Sequence, residues 1–178
     1  MVEKTPANLQ ISAFTHSHPH HLHHAGLSGM DRTDARILHI LQRNARTPFL
    51  EIARDLGISG ATVHERVRNL EKAGIIEGFT ARIDYKKLGY GITALVSVTL
   101  EHPIKDLASL TDGLLAVPEI IEAHNLTGDT DMLLKIKTRS IDELRDLLTK
   151  KVQNLPGVRR LSTSIVLDSP VQRPGIML

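Results

Sequence analysis

Residues 57–76, GISGATVHERVRNLEKAGII, decide how this chain is read. Ser59 is placed to N-cap a helix, and Gly74 stands where a left-handed residue ends one, so the helix between them runs roughly 14 residues. Val63, Val67 and Leu70 recur at i, i+4 and i+7 and form one apolar stripe, leaving Thr62, His64, Arg66, Arg68, Asn69 and Lys72 on the other faces. A donor-rich exposed face of this kind suits a helix that reads DNA. It also suits an amphipathic surface helix with solvated charges, and this stretch alone does not separate the two.

Working back toward the amino terminus, Ile37, Leu38, Ile40 and Leu41 give a first helix an apolar face. Asp31, Thr33 or Asp34 can cap it, and it ends near Asn44. Pro48 suits the first turn of a second helix, Phe49 to Leu56, with Thr47 as its N-cap and Gly57 as its stop. A turn of about three residues then sets the next helix at a steep angle, as a helix-turn-helix requires. Beyond Gly74, two short apolar stretches around Glu77-Gly78, ending at Ile83, predict a hairpin wing.

A helix in the major groove meets base edges mainly through its amino-terminal half, where free N–H groups and the positive dipole end also favour phosphate. Ser59, Gly60, Ala61, Thr62, His64 and Arg66 are therefore the expected DNA-facing residues, with Arg68 and Arg82 of the wing on phosphates. Each has a plainer alternative. Arg66 can pair with an acid such as Glu65 of another protomer, His64 can be an idle surface imidazole, and Arg82 can cap the wing.

Composition restricts the partners. The 178 residues carry a net charge of +2, so DNA binding must rest on where charge is placed. Absence of cysteine excludes disulfides, thiol catalysis and Cys-based zinc sites. With 3% aromatic residues and no Trp, a base-stacking platform for single strands is not expected. No run reaches the ~18 apolar residues of a membrane span and no signal peptide is visible, so a cytoplasmic protein without a membrane partner is expected. Residues 1–29 crowd six histidines, His16, His18, His20, His21, His23 and His24, into an aperiodic stretch. It reads as a disordered leader or tag, without the fixed spacing of a metal site. No cofactor is expected.

Toward the carboxyl terminus, residues 85–91 read as a hinge between a DNA-binding unit at 30–84 and a second domain at 92–178. Ile92, Ala94, Val96, Val98 and Leu100 alternate as a strand; Leu107, Leu110, Leu114 and Val117 fit a helix face. Strands follow at 120–126 and 131–138. Ser140 and Glu143 form a capping box before a helix with Ile141, Leu144, Leu148, Val152 and Leu155 on one face. A last strand holds Val158, Leu161, Thr163, Ile165 and Leu167. The order βαββαβ predicts an α+β fold, a winged helix-turn-helix followed by a ferredoxin-like domain with both helices on one sheet face. Leu95 and Leu133 fall out of phase with that core, which predicts sheet-to-sheet dimerisation through the other face.

Thr127, Gly128, Asp129, Thr130 and Asp131 form the one loop with chemistry of interest. Two carboxylates can receive an α-ammonium group and exposed N–H groups a carboxylate, as an amino-acid effector needs. The same G-D-x-D is a common hairpin turn whose Asp side chains bond their own backbone. No nucleophile–base pair, phosphate loop or metal constellation suggests an enzyme, and His102 and His124 are isolated.

The runs Asp34-Ala-Arg-Ile-Leu, Asn44-Ala-Arg, Gly57-Ile-Ser, Thr62-Val, Arg66-Val, Leu70-Glu and Gly74-Ile-Ile-Glu-Gly-Phe together resemble the Lrp/AsnC (feast/famine) family of transcription regulators. The resemblance spans residues 30–178. It implies a DNA-binding regulator whose second domain dimerises and assembles further into tetramers or octamers. It also implies amino-acid effector pockets between dimers, lined by a Gly-Asp-x-Asp-x-Leu-Leu loop that residues 128–134 match. This chain departs at Thr130 and Met132, where many relatives carry Tyr. An effector-independent architectural DNA-binding protein is the alternative function.

Overall fold

A computed structural model describes residues 30–102, 106–173 and 175–176. The expectation of a leader at residues 1–29 falls outside them. Three helices come first: α1 (Arg32–Arg43), α2 (Phe49–Leu56) and α3 (Gly60–Lys72). Asp31 caps α1 through a capping box, accepting from the Asp34 N–H at 2.9 Å while Asp34 accepts from the Asp31 N–H at 3.1 Å. Ser59 caps α3, accepting from the Thr62 N–H at 3.0 Å. Gly57, at φ +67°, turns the chain out of α2 in a conformation that a Cβ would strain. Ile37, Leu41, Ile52, Ala53, Val63 and Val67 close one small core, α1 and α3 contributing residues of their predicted stripes and α2 adding Ile52 and Ala53.

Two expectations fail locally. Thr47 does not cap α2; Pro48 occupies that position and the Thr47 hydroxyl donates to the Asn44 carbonyl at 2.8 Å instead. The hairpin wing does not form: among the described residues no strand lies between Ile75 and Tyr90, and Phe79 and Ile83 are half exposed. Among the described residues no third strand lies beside it, and an isolated hairpin is marginal in water.

The second core belongs to β1 (Ile92–Leu100), α4 (Leu107–Leu115), β2 (Ile120–Asn125), β3 (Met132–Thr138), α5 (Ile141–Lys150) and β4 (Val158–Ile165). The sheet order is β2-β3-β1-β4 with each neighbouring pair antiparallel, the ferredoxin-like arrangement. Ala94, Val96, Val98 and Leu100 alternate with Thr93, Leu95, Ser97 and Thr99, and only the first set is buried. Met132, Leu134 and Ile136 do the same in β3. Each of these valine, leucine, isoleucine and methionine side chains contributes ~1.5–3 kcal/mol by leaving water.

The helix expected to reach Leu155 stops at Lys150, and Val152 enters the core from a short 3₁₀ turn, Val152–Asn154. Leu107 and Ile141, placed on buried faces by their spacing, are about half exposed because each is the first residue of its helix. The uneven spacing of Val158 and Leu161 is a register shift opposite Thr99/Leu100. Leu167 lies beyond β4 and is 98% exposed, so it belongs to no core. The sheet face away from the helices is less apolar than expected. Leu95 and Leu133 lie among Ser97, Ser162 and Ser164, and Lys135 pairs with Glu122 at 2.8 Å.

Candidate nucleic-acid interface and effector loop

The amino terminus of α3 is built by small residues. Ser59 and Thr62 share a hydroxyl–hydroxyl bond of 2.8 Å, so both are occupied in closing the helix end. Gly60 brings α3 close to α2: a Cβ there would stand 3.0 Å from the Leu50 Cδ2. Ala61, His64, Glu65 and Arg68 are exposed in one outward stripe, spaced three and four residues apart. The His64 ring is steadied by Phe49 of α2, edge to face with centroids 5.7 Å apart.

Arg66 lies elsewhere. Its Nη1 donates to Asp31 Oδ2 at 2.8 Å and to Asp34 Oδ1 at 2.9 Å, tying α3 to the first turn of α1. The acids it meets are in its own chain, not Glu65 of another protomer. The two carboxylates, Asp34 first, raise the guanidinium's already high pKa. The Asp31 carboxyl is lowered by the Asp34 N–H and further by Arg66. Among the described residues neither Arg68 nor Arg82 has an ion-pair partner, and both are exposed. Arg82 lies outside any helix or strand, not on a wing strand.

In the second domain, Thr127, Gly128 and Asp129 are exposed at the turn between β2 and β3, with Gly128 at φ +114°. Asp131 is committed. Its Oδ2 accepts from the Leu100 N–H at 2.8 Å, its Oδ1 meets His102 Nε2 at 2.8 Å, and its own N–H donates to the Val98 carbonyl at 3.1 Å. The turn is thereby stitched to the end of β1. The Leu100 N–H, then His102, hold the Asp131 carboxyl below the usual carboxylate range. Of the two carboxylates expected to meet an ammonium group, Asp129 alone is without a hydrogen bond among the described residues.

At the other end of β3 the chain from the first domain is clamped. Lys137 Nζ sits 5.6 Å from the Tyr85 ring centroid, the Arg139 guanidinium 4.8 Å from that of Tyr90, and the two tyrosines meet edge to face at 6.4 Å. Residues 85–91, expected as a hinge, thus carry side-chain contacts to the sheet. Spacing gave no signal of the two cation–ring contacts, nor of the Asp31–Arg66 pair, because each of these joins residues more than 30 positions apart. The cations and rings themselves were visible, but not which would meet.

Comparison with known proteins adds lineage to this geometry. The AsnC-type helix-turn-helix domain matches residues 30–71 and the Lrp/AsnC ligand binding domain residues 93–176. The HTH-type transcriptional regulator FL11 of Pyrococcus horikoshii is 37% identical over 140 residues, which cover 79% of this chain and 91% of FL11. The structure of Escherichia coli AsnC superposes with a TM-score of 0.77 at 35% identity, covering 84% of this chain and 99% of that one. The Neisseria meningitidis regulator NMB0573, solved as a complex with L-Met, has a TM-score of 0.77 over 81% of this chain and 94% of its own. At 24% identity it speaks for the fold alone.

Proposed function

The chain belongs to the Lrp/AsnC family of transcription regulators, and from that premise we propose that residues 30–84 read double-stranded DNA while residues 92–178 pair two copies and take a small effector. The observation that carries the reading is the capped amino terminus of α3. It presents the Ser59–Thr62 turn and the outward His64, and the exposed cations Arg68 and Arg82, which have no ion-pair partner among the described residues, are available for phosphate. One such helix gives little specificity; two copies joined through the sheet face around Leu95 and Leu133 read a spaced pair of half-sites. The protein acts in the cytoplasm, as a regulator without enzymatic activity. The effector is an amino acid meeting the turn 127–131 at an interface between dimers, and L-methionine is the first compound to try. It shifts DNA occupancy by favouring one assembly.

The test is selection of bound duplexes from a random-sequence pool, followed by titration in salt. The chain should enrich a pseudo-palindrome. With two cations from each of two copies on phosphate, the log–log salt slope should be near −4. Duplexes bound without sequence preference would favour the architectural alternative; a flat salt dependence would remove the electrostatic part of the reading.

A further inference from the structure

We infer that Arg66 is a strut that sets the rotation of the reading helix and does not itself touch DNA, an inference that rests on α3 being the reading helix. His64 and Arg66 are two residues apart, which places them roughly 200° apart around the helix, on nearly opposite sides. Both cannot face one groove. His64 shares the outward stripe with Ala61 and Arg68, whereas Arg66 points back to the first turn of α1.

The two bonds it makes there are directional, and their partners are themselves fixed. Asp31 and Asp34 are the reciprocal capping box of α1, so each carboxylate is already oriented by a backbone N–H when it accepts from Arg66. The Asp34 side chain is 11% exposed against 52% for Asp31, so water competes less for the Asp34 bond than for the Asp31 bond. The stripe Val63, Val67 and Leu70 holds α3 down through aliphatic contacts, which resist lifting more than turning. A turn of ~10° at a side-chain radius of about 6 Å moves a tip by roughly 1 Å, enough to spoil a hydrogen bond to a base edge. Phe49 against His64 braces the helix from α2, and the capping-box acids brace it from α1.

The experiment uses the full chain and a duplex selected by the wild type. Arg66→Ala, which removes both bonds, should weaken binding roughly tenfold and Asp34→Asn, which removes one, should weaken it less; the double variant should be no weaker than Arg66→Ala alone, because no bond to the guanidinium is then left for Asp34→Asn to remove. Base preference should flatten at all positions alike, with the salt slope unchanged. Loss of preference at a single base, a slope reduced by about one per site, or an Asp34→Asn variant that binds like wild type would overturn the strut. If Arg66→Ala melts the helices by circular dichroism, Arg66→Lys carries the same test. It keeps a charge between the carboxylates and should recover most of the affinity, and no recovery counts against the proposal. A wild type that selects no sequence defeats the DNA reading and the strut together. Failure of the strut alone is distinct, for then the wild type selects and the variants part from the expected pattern.

Discussion

At Arg66 one guanidinium nitrogen bridges two carboxylates; at Asp131 one carboxylate bridges a backbone N–H and an imidazole. Both knots consume a residue that residue type and position mark as a ligand. They differ in what they join. The first links two helices entirely through side chains, across 32 and 35 positions, so their mutual orientation depends on it. The second backs up a strand pair that β1 and β3 already make through seven residue pairs, so it governs the turn and leaves the sheet alone. A charged contact therefore controls geometry where main-chain bonds are few, and only trims it where they are many.

The largest effect should come from taking the scaffold away from one knot. Leu134 is fully buried in the sheet core, which shares no residue with the helical core. Leu134→Ala should cost about 2–5 kcal/mol. Hydrogen exchange should then show lost protection in residues 92–138 with residues 32–72 spared. Equal loss in both would mean that the two cores unfold as one unit and that the knots are not independent.

A smaller effect is expected at the turn itself. Asp131→Ala frees the Leu100 N–H and His102 but leaves the ladder, so exchange should quicken at Leu100 while the melting temperature changes little. Any amino-acid-dependent change in assembly, followed by sizing with L-methionine present, should be lost. A response that survives places the effector away from this turn and confines Asp131 to the stitching of β1 and β3.

The same contrast explains what could be read from the sequence. Periodicity placed α3 within a residue of its observed bounds and picked Val63, Val67 and Leu70. Alternation in β1 and β3 likewise placed the sheet, because a single stripe or face was buried in each case. The wing's absence was not foreseeable: Ile75, Ile76, Phe79 and Ile83 have the composition of a hairpin, but Ile76 packs on the helical core instead and Ile75, Phe79 and Ile83 stay exposed. At the candidate sites, residue types were legible and their engagement was not. Asp31 and Asp34 were recognisable as caps, yet nothing in an i, i+3 spacing points to a guanidinium 32 positions away. Asp131 was recognisable as a turn acid, while the bond to Leu100 depends on how β1 ends beside β3.

The smallest expected effect is in acid, where the two knots respond alike in sign. Asp31 and Asp131 both have carboxyls depressed below 3.8 in the folded chain, Asp31 first by the Asp34 N–H and Asp131 first by the Leu100 N–H. A depressed carboxylate contributes stability that is fully present above its unfolded value and is lost as pH falls through its folded one. Thermal melts should therefore be level from neutral pH down to about pH 5 and should decline below about pH 4. Asp131→Asn cannot ionise, so its melting temperature should start slightly lower and decline less steeply than that of the wild type. Arg66→Ala removes only a secondary cause of the Asp31 depression, since the Asp34 N–H remains, and should alter the acid limb less than Asp131→Asn does. Should Arg66→Ala flatten that limb more, the guanidinium rather than the capping N–H would be what holds Asp31 ionised, and the helical knot would be the more acid-sensitive of the two.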